Sequence, residues 1–315
     1  MICVLCGGVG AARMLTGLVQ VTDPSSIVAV VNTGDDTELH GLSISPDLDT
    51  ITYTLAGAVN LETGWGLAGE SWQAMSALER LGGAERTWFR LGDRDLGTHL
   101  YRTGRLREGA TLSEVTAELA AAFGLAVRLL PMSDDPVRTV LRTAGGGELC
   151  FQEYFVKHRH AVAVEAVRFE GAEASRPAPG VLEAIEQATV VVLAPSNPVV
   201  SIGPVLAVPG VEEALAARRP DVVGVSPIVG GAALKGPADR LLVELGGEAS
   251  AAGVARVLSG VLGTLVIDEV DRHLAGEVEA AGVRAVVADT VMSTPARARR
   301  LAEAVLAAPA GAGEG

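Results

Sequence analysis

The first thirty-odd residues constrain the fold more than any other stretch of the chain. An apolar run, Met1–Cys6, passes without a break into Gly7-Gly8-Val9-Gly10-Ala11-Ala12-Arg13. A helical pattern then covers Ala11–Val19, and a second β-branched run covers Ile27–Asn32. Strand, glycine turn, helix and strand over that span make one βαβ unit, whose two strands are parallel. The alternation returns later in the chain, which predicts an α/β fold: a Rossmann-like open parallel sheet with helices on both faces. A small antiparallel and helical insertion interrupts it.

Further strands are predicted at Thr189–Ala194, Asp221–Ser226, Leu265–Glu269 and Ala285–Ala288. Helices are predicted at Asp47–Ala56, Glu70–Leu81, Asp93–Thr103 and Thr111–Phe123, the last with Thr111 and Glu114 in capping-box spacing. Between Arg128 and Phe169 the pattern changes. Val137–Thr143, Glu148–Lys157 and Ala161–Phe169 read as strands, with Gly145–Gly147 as a turn. The expectation is one domain over 1–315 with an elaboration at about 60–170, ending in a frayed tail at Pro309–Gly315.

Composition narrows the function. With 49% hydrophobic residues the chain has a full core to bury, and its longest apolar runs are strand-sized, far short of a membrane span. No signal-peptide pattern precedes the first strand, so a cytoplasmic location is expected. A net charge of −13 argues against nucleic acid or an anionic membrane as partner. Cys3 and Cys6 form C-x-x-C inside a strand, where alternation sends them to opposite faces, so they are expected to be structural.

The glycine loop suits phosphate: glycines let backbone N–H groups approach, and a helix N-terminus favours negative charge. Gly8 and Gly10 fit the start of a dinucleotide fingerprint, but Arg13 holds its third position and neutral Asn32 ends the second strand. That departs from the NAD pattern, and the Gly-Lys-Ser/Thr of a P-loop is missing too. After the second strand come Asn32-Thr33-Gly34-Asp35-Asp36 and Ser45-Pro46-Asp47-Leu48-Asp49-Thr50. Four aspartates in fifteen residues, at the edge of the sheet where ligands bind, suit Mg²⁺ and a diphosphate, or a base for an attacking hydroxyl. Aspartate at a helix start is otherwise an N-cap. Trp88-Phe89-Arg90-Leu91-Gly92-Asp93-Arg94-Asp95, followed by His99, suits a flat polar heterocycle. Ala194–Pro204, with Asn197 and Ser201, suits base, ribose or phosphate.

Together these segments resemble the CofD/FbiA transferases of coenzyme F420 biosynthesis, the 2-phospho-L-lactate (phosphoenolpyruvate) transferases. GGVGAAR, VVNTGDD, SPDLDT, LGDRDLGTH, LLPMSDDPVRT, FQEYFV, APSNPVVSIGP and GVSPIVGG occur in the family's order. The resemblance implies a Mg²⁺-dependent reaction. In it, the ribityl hydroxyl of the deazaflavin Fo attacks the phosphorus carrying a three-carbon acid in a guanosine diphospho-conjugate. GMP leaves, and F420-0 or its dehydro form results. It further implies that Asp47 and Asp49 contact the metal or the attacking hydroxyl, with Asp35 as another metal ligand. Arg90, Asp93 and His99 would serve Fo, and Gly8, Gly10, Asn32, Asn197 and Ser201 the substrates' polar groups. The acid is phospholactyl, phosphoenolpyruvyl or phosphoglyceryl, and a homodimer is expected. The competing reading is a non-catalytic, nucleotide-sugar-binding regulator of the related YvcK-like branch.

Overall fold

The computed structural model describes residues 1–309. Seven parallel strands form the central sheet: β1 (Ile2–Cys6), β2 (Ile27–Val31), β3 (Arg128–Pro131), β4 (Val190–Leu193), β5 (Val222–Val225), β6 (Thr264–Asp268) and β7 (Arg284–Ala288). Their spatial order is β7-β6-β5-β4-β1-β2-β3. β1 lies at the centre, with Ile2 opposite Ile27 of β2 on one side and Val190 of β4 on the other. The chain winds one way from β1 to β3 and the other way from β4 onward, so the topological switch point falls between β1 and β4, where open α/β sheets bind ligands.

The near-continuous apolar strands are explained by burial on both faces. On one face Val4, Cys6 and Val31 pack under Met14, Leu15 and Leu18 of α1 (Gly8–Leu18), and under Leu301 and Val305 of the last helix, Pro295–Leu306. On the other face Cys3, Leu5 and Val30 meet Val181, Ile185, Leu215 and Val254 from three helices. Cys3 and Cys6 therefore do face opposite sides, both free, and burial pushes the Cys3 thiol up to about 12. The predicted α/β architecture is the one observed. Among the described residues, no single helix is long and apolar enough to cross a membrane.

The departures from the central sheet are two excursions, separated by the edge strand β3. The first runs from β2 to β3 and carries α2 (Pro46–Leu55), α3 (Gln73–Gly82), α4 (Asp95–Arg107) and α5 (Leu112–Ala122), the last with its Thr111/Glu114 capping box in place. It also contains a hairpin, Thr37–Leu39 with Leu42–Ile44, that the sequence reading missed. His40 and Gly41 turn it at φ 55° and 74°, so a histidine occupies a left-handed position where glycine or asparagine would have signalled a turn. The second excursion, from β3 to β4, is the expected antiparallel sheet, with Arg138–Thr143 between Glu148–Cys150 and Val164–Glu170.

Two expectations need correction. Glu148–Lys157 is not one strand: pairing stops at Cys150, and Phe151–Lys157 coils into helical turns, wide over Glu153–Lys157. Phe151 and Tyr154 lie three apart, a helical period that buries both beside Leu141 and Val164. The helix expected from Glu70 starts instead at Gln73, because Glu70 is used elsewhere. Its carboxylate accepts from the N–H groups of Arg94 and Asp95 at the start of α4, both at 2.8 Å. Of the expected tail, Pro309 is buried and 310–315 lie outside the described residues.

Candidate active site

The loops leaving β1, β2 and β4 converge on a cleft of about 380 Å³, within the range of roughly 300–1,000 Å³ usual for small-molecule sites. Gly8, Gly10, Asp35, Asp47, Asp49, Arg90, His99, Asn197 and Ser201 all line it. A recess behind Trp65, Arg90 and Asp95 adjoins it.

The floor is backbone. Gly8 takes φ +72° as the chain turns from β1 into α1, and Gly7 in front of it supplies no side-chain cap, so the first amides of the helix open toward the cleft. A Cβ on Gly10 would collide with the carbonyl oxygen of Pro195, so glycine there is imposed by the approach of the β4 loop. The hydroxyl of Ser196 ties the two loops together, donating to the Gly7 carbonyl at 2.9 Å and accepting from the Gly7 N–H at 3.3 Å. Asn197 caps the following turn: its Oδ1 accepts from the N–H groups of Val199 and Val200, while its Nδ2 is buried without a partner.

The acidic wall is side chain. Asp35 ends the β2 loop and Asp47 sits in the first turn of α2; they are 5% and 7% exposed. The Asn32 amide donates to Asp47 Oδ2 at 2.9 Å, and Asn32 Oδ1 accepts from the Gly34 N–H at 2.8 Å. Asn32 thus positions the acidic residues from beneath and does not line the cleft. Burial, and then the charge of Asp47, push the Asp35 carboxyl well above its ordinary range. Burial raises Asp47 too, against the Asn32 amide and the Gly8 N–H, which favour its ionised form. Neither forms an ion pair among the described residues, and Asp35 Oδ1 is buried with no hydrogen-bond partner. Two adjacent carboxylates of this kind fit Mg²⁺, which takes one or two carboxylates and completes its shell with water and phosphate.

Asp49 has a different setting. Both of its oxygens are taken by the guanidinium of Arg102 from α4, Oδ2 at 3.1 Å from Nη1 and Oδ1 against Nη2. Arg102 is 2% exposed and also approaches His99 Nδ1 at 3.3 Å. His99 Nε2 lies 3.3 Å from Asp95 Oδ2, and the Tyr53 hydroxyl donates to Asp95 Oδ1 at 2.6 Å. Burial works to raise Asp95, but His99, Tyr53 and Arg102 outweigh it and hold its carboxyl below the usual range.

Asp93 is placed elsewhere than the sequence suggested. It is absent from the lining of the cleft, and its carboxylate caps α3, accepting from the N–H groups of Gln73 at 2.9 Å and Ala74 at 3.0 Å. With Glu70 on α4 it forms a reciprocal cap that joins the two helices. Arg90 lies over the Trp72 ring, 4.8 Å from its centroid, at the edge of the cleft.

The sequence reading named His99 and quoted Asp95 in the same segment but missed Arg102, which does not line the cleft; the three stand at i, i+4 and i+7 on one helix face, a polar stripe at helical spacing that marks a buried charge network. Phe151, Gln152 and Phe155 were hidden by reading their segment as strand. Gln152 reaches Asp35, donating to its carbonyl oxygen at 3.1 Å. Lys235, one of the two lysines in the sequence, lies at the mouth and donates to the Thr63 carbonyl.

The model of the family described as 2-phospho-L-lactate transferase CofD matches residues 2–306. A phosphoenolpyruvate transferase of Streptomyces griseus is 50% identical over 274 residues, 86% of each chain. Another, from Mycolicibacterium smegmatis, is 42% identical over 281 residues, 85% of this chain and 86% of its own. Two crystal structures of one Bacillus halodurans protein, described as a member of the upf0052 family, share the fold. They superpose with TM-scores of 0.66 and 0.64 at 18% and 16% identity, covering 97% of this chain and 98% of theirs.

Proposed function

The chain belongs to the CofD family and is a transferase of coenzyme F420 biosynthesis, and from that premise we propose that it carries a phospho-three-carbon-acid group from a guanosine diphospho-conjugate to the deazaflavin Fo. The ribityl hydroxyl oxygen of Fo bonds to the phosphorus bearing the acid, the bond from that phosphorus to the GMP oxygen breaks, and GMP leaves. The name shared by the relatives, phosphoenolpyruvate transferase, favours a phosphoenolpyruvyl donor and dehydro-F420-0 as product.

The observation that carries this reading is the pair Asp35 and Asp47, buried side by side at the N-terminus of α1 with no cationic partner. These two residues would hold Mg²⁺, which would supply positive charge against the donor's diphosphate. The first amides of α1, past Gly8 and Gly10, face the donor's phosphates, with Asn197 and Ser201 beside them. Asp47, in the first turn of α2, would contact the attacking hydroxyl of Fo and accept its proton. The aromatic side chains of Trp65, Phe89 and Phe155, with Arg90, form the bed for the flat deazaflavin ring. The enzyme is read as a cytoplasmic homodimer, the commonest assembly for such chains.

The test is turnover with products identified by mass: purified protein, Mg²⁺, Fo and the guanosine diphospho-conjugate of each three-carbon acid. A mass gain on Fo with release of GMP, abolished by EDTA and greatest with the phosphoenolpyruvyl donor, is the expected result. No product with any donor, together with binding of UDP-sugars but not Fo, would establish the regulator instead.

A further inference from the structure

Five aspartates crowd this edge of the sheet: Asp35, Asp36, Asp47, Asp49 and Asp95. Sequence alone offers no way to rank them as cation ligands. We infer that Arg102 is a built-in counter-cation that withdraws Asp49 from the cation site, leaving Asp35 and Asp47 as its carboxylates. The inference rests on the cation reading above and goes further, by assigning a positioning role to a residue of α4 that touches no substrate.

The geometry carries it. Arg102 comes from α4, 53 residues beyond Asp49, and its planar fork takes both oxygens of that carboxylate, filling its bidentate edge and neutralising its charge. Burial does not separate the three carboxylates, since Asp35, Asp47 and Asp49 are 5%, 7% and 6% exposed and all line the cleft; the guanidinium of Arg102, itself 2% exposed, does. Two residues before Asp49 on the same helix, Asp47 forms no ion pair among the described residues, and beside it Asp35 Oδ1 has no hydrogen-bond partner. Beside the guanidinium, His99 Nδ1 lies 3.3 Å from Arg102 Nη1 and its Nε2 3.3 Å from Asp95 Oδ2, and Asp95 in turn accepts from the Tyr53 hydroxyl of α2.

The charge matters as much as the contact. The positive charge of Arg102 also reaches Asp36, so its removal would leave more than one carboxylate short of a counter-charge. An Asp49 released in this way is a competing ligand within reach of the cation.

The test is Mn²⁺ binding to the full chain, measured by calorimetry and by electron paramagnetic resonance with no substrate present. Asp35→Asn should weaken Mn²⁺ by about a hundredfold, the scale on which loss of a ligand or its support acts. Arg102→Gln should do the opposite and tighten it about tenfold, because Asp49 joins the site. Arg102→Lys keeps the charge and should stay within about threefold of wild type, as should the charge-neutral double variant Asp49→Asn/Arg102→Gln. The double variant leaves no unpaired buried charge, so it decides the question even if Arg102→Gln fails to fold.

Two outcomes overturn the inference. In one, the double variant loses Mn²⁺ as deeply as Asp35→Asn, which would make Asp49 a ligand. In the other, a folded Arg102→Gln binds Mn²⁺ no more tightly than wild type. If Asp35→Asn and Asp47→Asn both bind Mn²⁺ normally, the cation site itself is misplaced. That result would sink the reading beneath the inference whatever Arg102 does.

Discussion

The two sides of the cleft are built by different means. On the side of β1 and β4 the work is done by backbone. Gly8 and Gly10 bring the chain close, Ser196 joins one loop to the next, and Asn197 caps the turn that follows. On the side of α2 and α4 the work is done by charge, with Asp49, Arg102, His99 and Asp95 interlocked behind an unpaired Asp35 and Asp47. A backbone surface offers fixed N–H groups whose strength hardly varies with pH. A charged wall stores unfavourable electrostatics that a ligand can relieve, and it responds to every proton and cation that arrives. The difference suits the proposed reaction, in which an anionic donor would meet the backbone side and a cation the charged one.

The contrast is broken most severely by removing the unpaired carboxylates. Asp35→Asn and Asp47→Asn should each lower turnover by about a thousandfold, the scale on which loss of a principal electrostatic group acts. The fold should survive, because neutralising one of two adjacent buried carboxylates relieves repulsion. The check is kcat at saturating Mg²⁺ beside a thermal melt without metal. A melting temperature at or above wild type with turnover lost is expected; turnover within tenfold of wild type would remove that carboxylate from the reaction.

The backbone side predicts the reverse: a loss of stability before any loss of chemistry. Gly10→Ala drives a methyl group into the Pro195 carbonyl, and forcing an extra carbon into a packed site costs about 1–3 kcal/mol. Denaturant unfolding would show it, with an equal penalty at pH 6 and pH 8 because no titrating group takes part. A neutral Gly10→Ala would mean that the β4 loop can retreat from α1, and that the close approach is not required.

The same contrast decides what the sequence could disclose. The backbone side is local: strand, glycines and helix lie within twenty residues, and the Pro-Ser-Asn turn follows its strand at once. Periodicity and turn chemistry therefore located Gly8, Gly10, Asn197 and Ser201, together with the sheet that carries them. The charged wall depends on pairings across 42 to 53 residues, between α2 and α4. A one-dimensional pattern identifies Asp47 and Asp49 as acidic but cannot show that Arg102 takes one of them and leaves the other. Asp93 fails for a related reason. It stands among residues that line the cleft, yet a helix start 20 residues back claims its carboxylate. Phe151–Lys157 was lost to a wrong period, because its aromatic residues satisfy a strand pattern until the spacing of Phe151 and Tyr154 is read as a turn of helix.

The finest test of the contrast is a titration of stability. Asp36 sits behind the charged wall, accepting from the Ser45 hydroxyl at 2.7 Å, and burial pushes its carboxyl up to about 7. The Ser45 hydroxyl and the charges of Arg102 and Arg138 pull the other way without prevailing. An aspartate in the unfolded chain titrates near 4, so between about pH 4 and pH 7 the folded protein holds more protons than the unfolded one. Stability from this group is therefore fully present below about pH 4 and is lost as pH rises through 7. Asp36→Asn imitates the protonated state at every pH. Its advantage over wild type should open above about pH 4, be small near pH 5 and be larger at pH 8 by about 1–2 kcal/mol, after allowance for partial solvent access. Unfolding at the two pH values, without divalent cation, measures the gap. A gap that widens from pH 5 to pH 8 for Asp36→Asn, beside one that stays constant for Gly10→Ala, separates a wall held by charge from one held by backbone. Equal gaps for Asp36→Asn at both pH values would show that the Asp36 carboxylate is already ionised in the fold, and that Arg102 and Arg138 together balance more of the acidic edge than Asp49 alone.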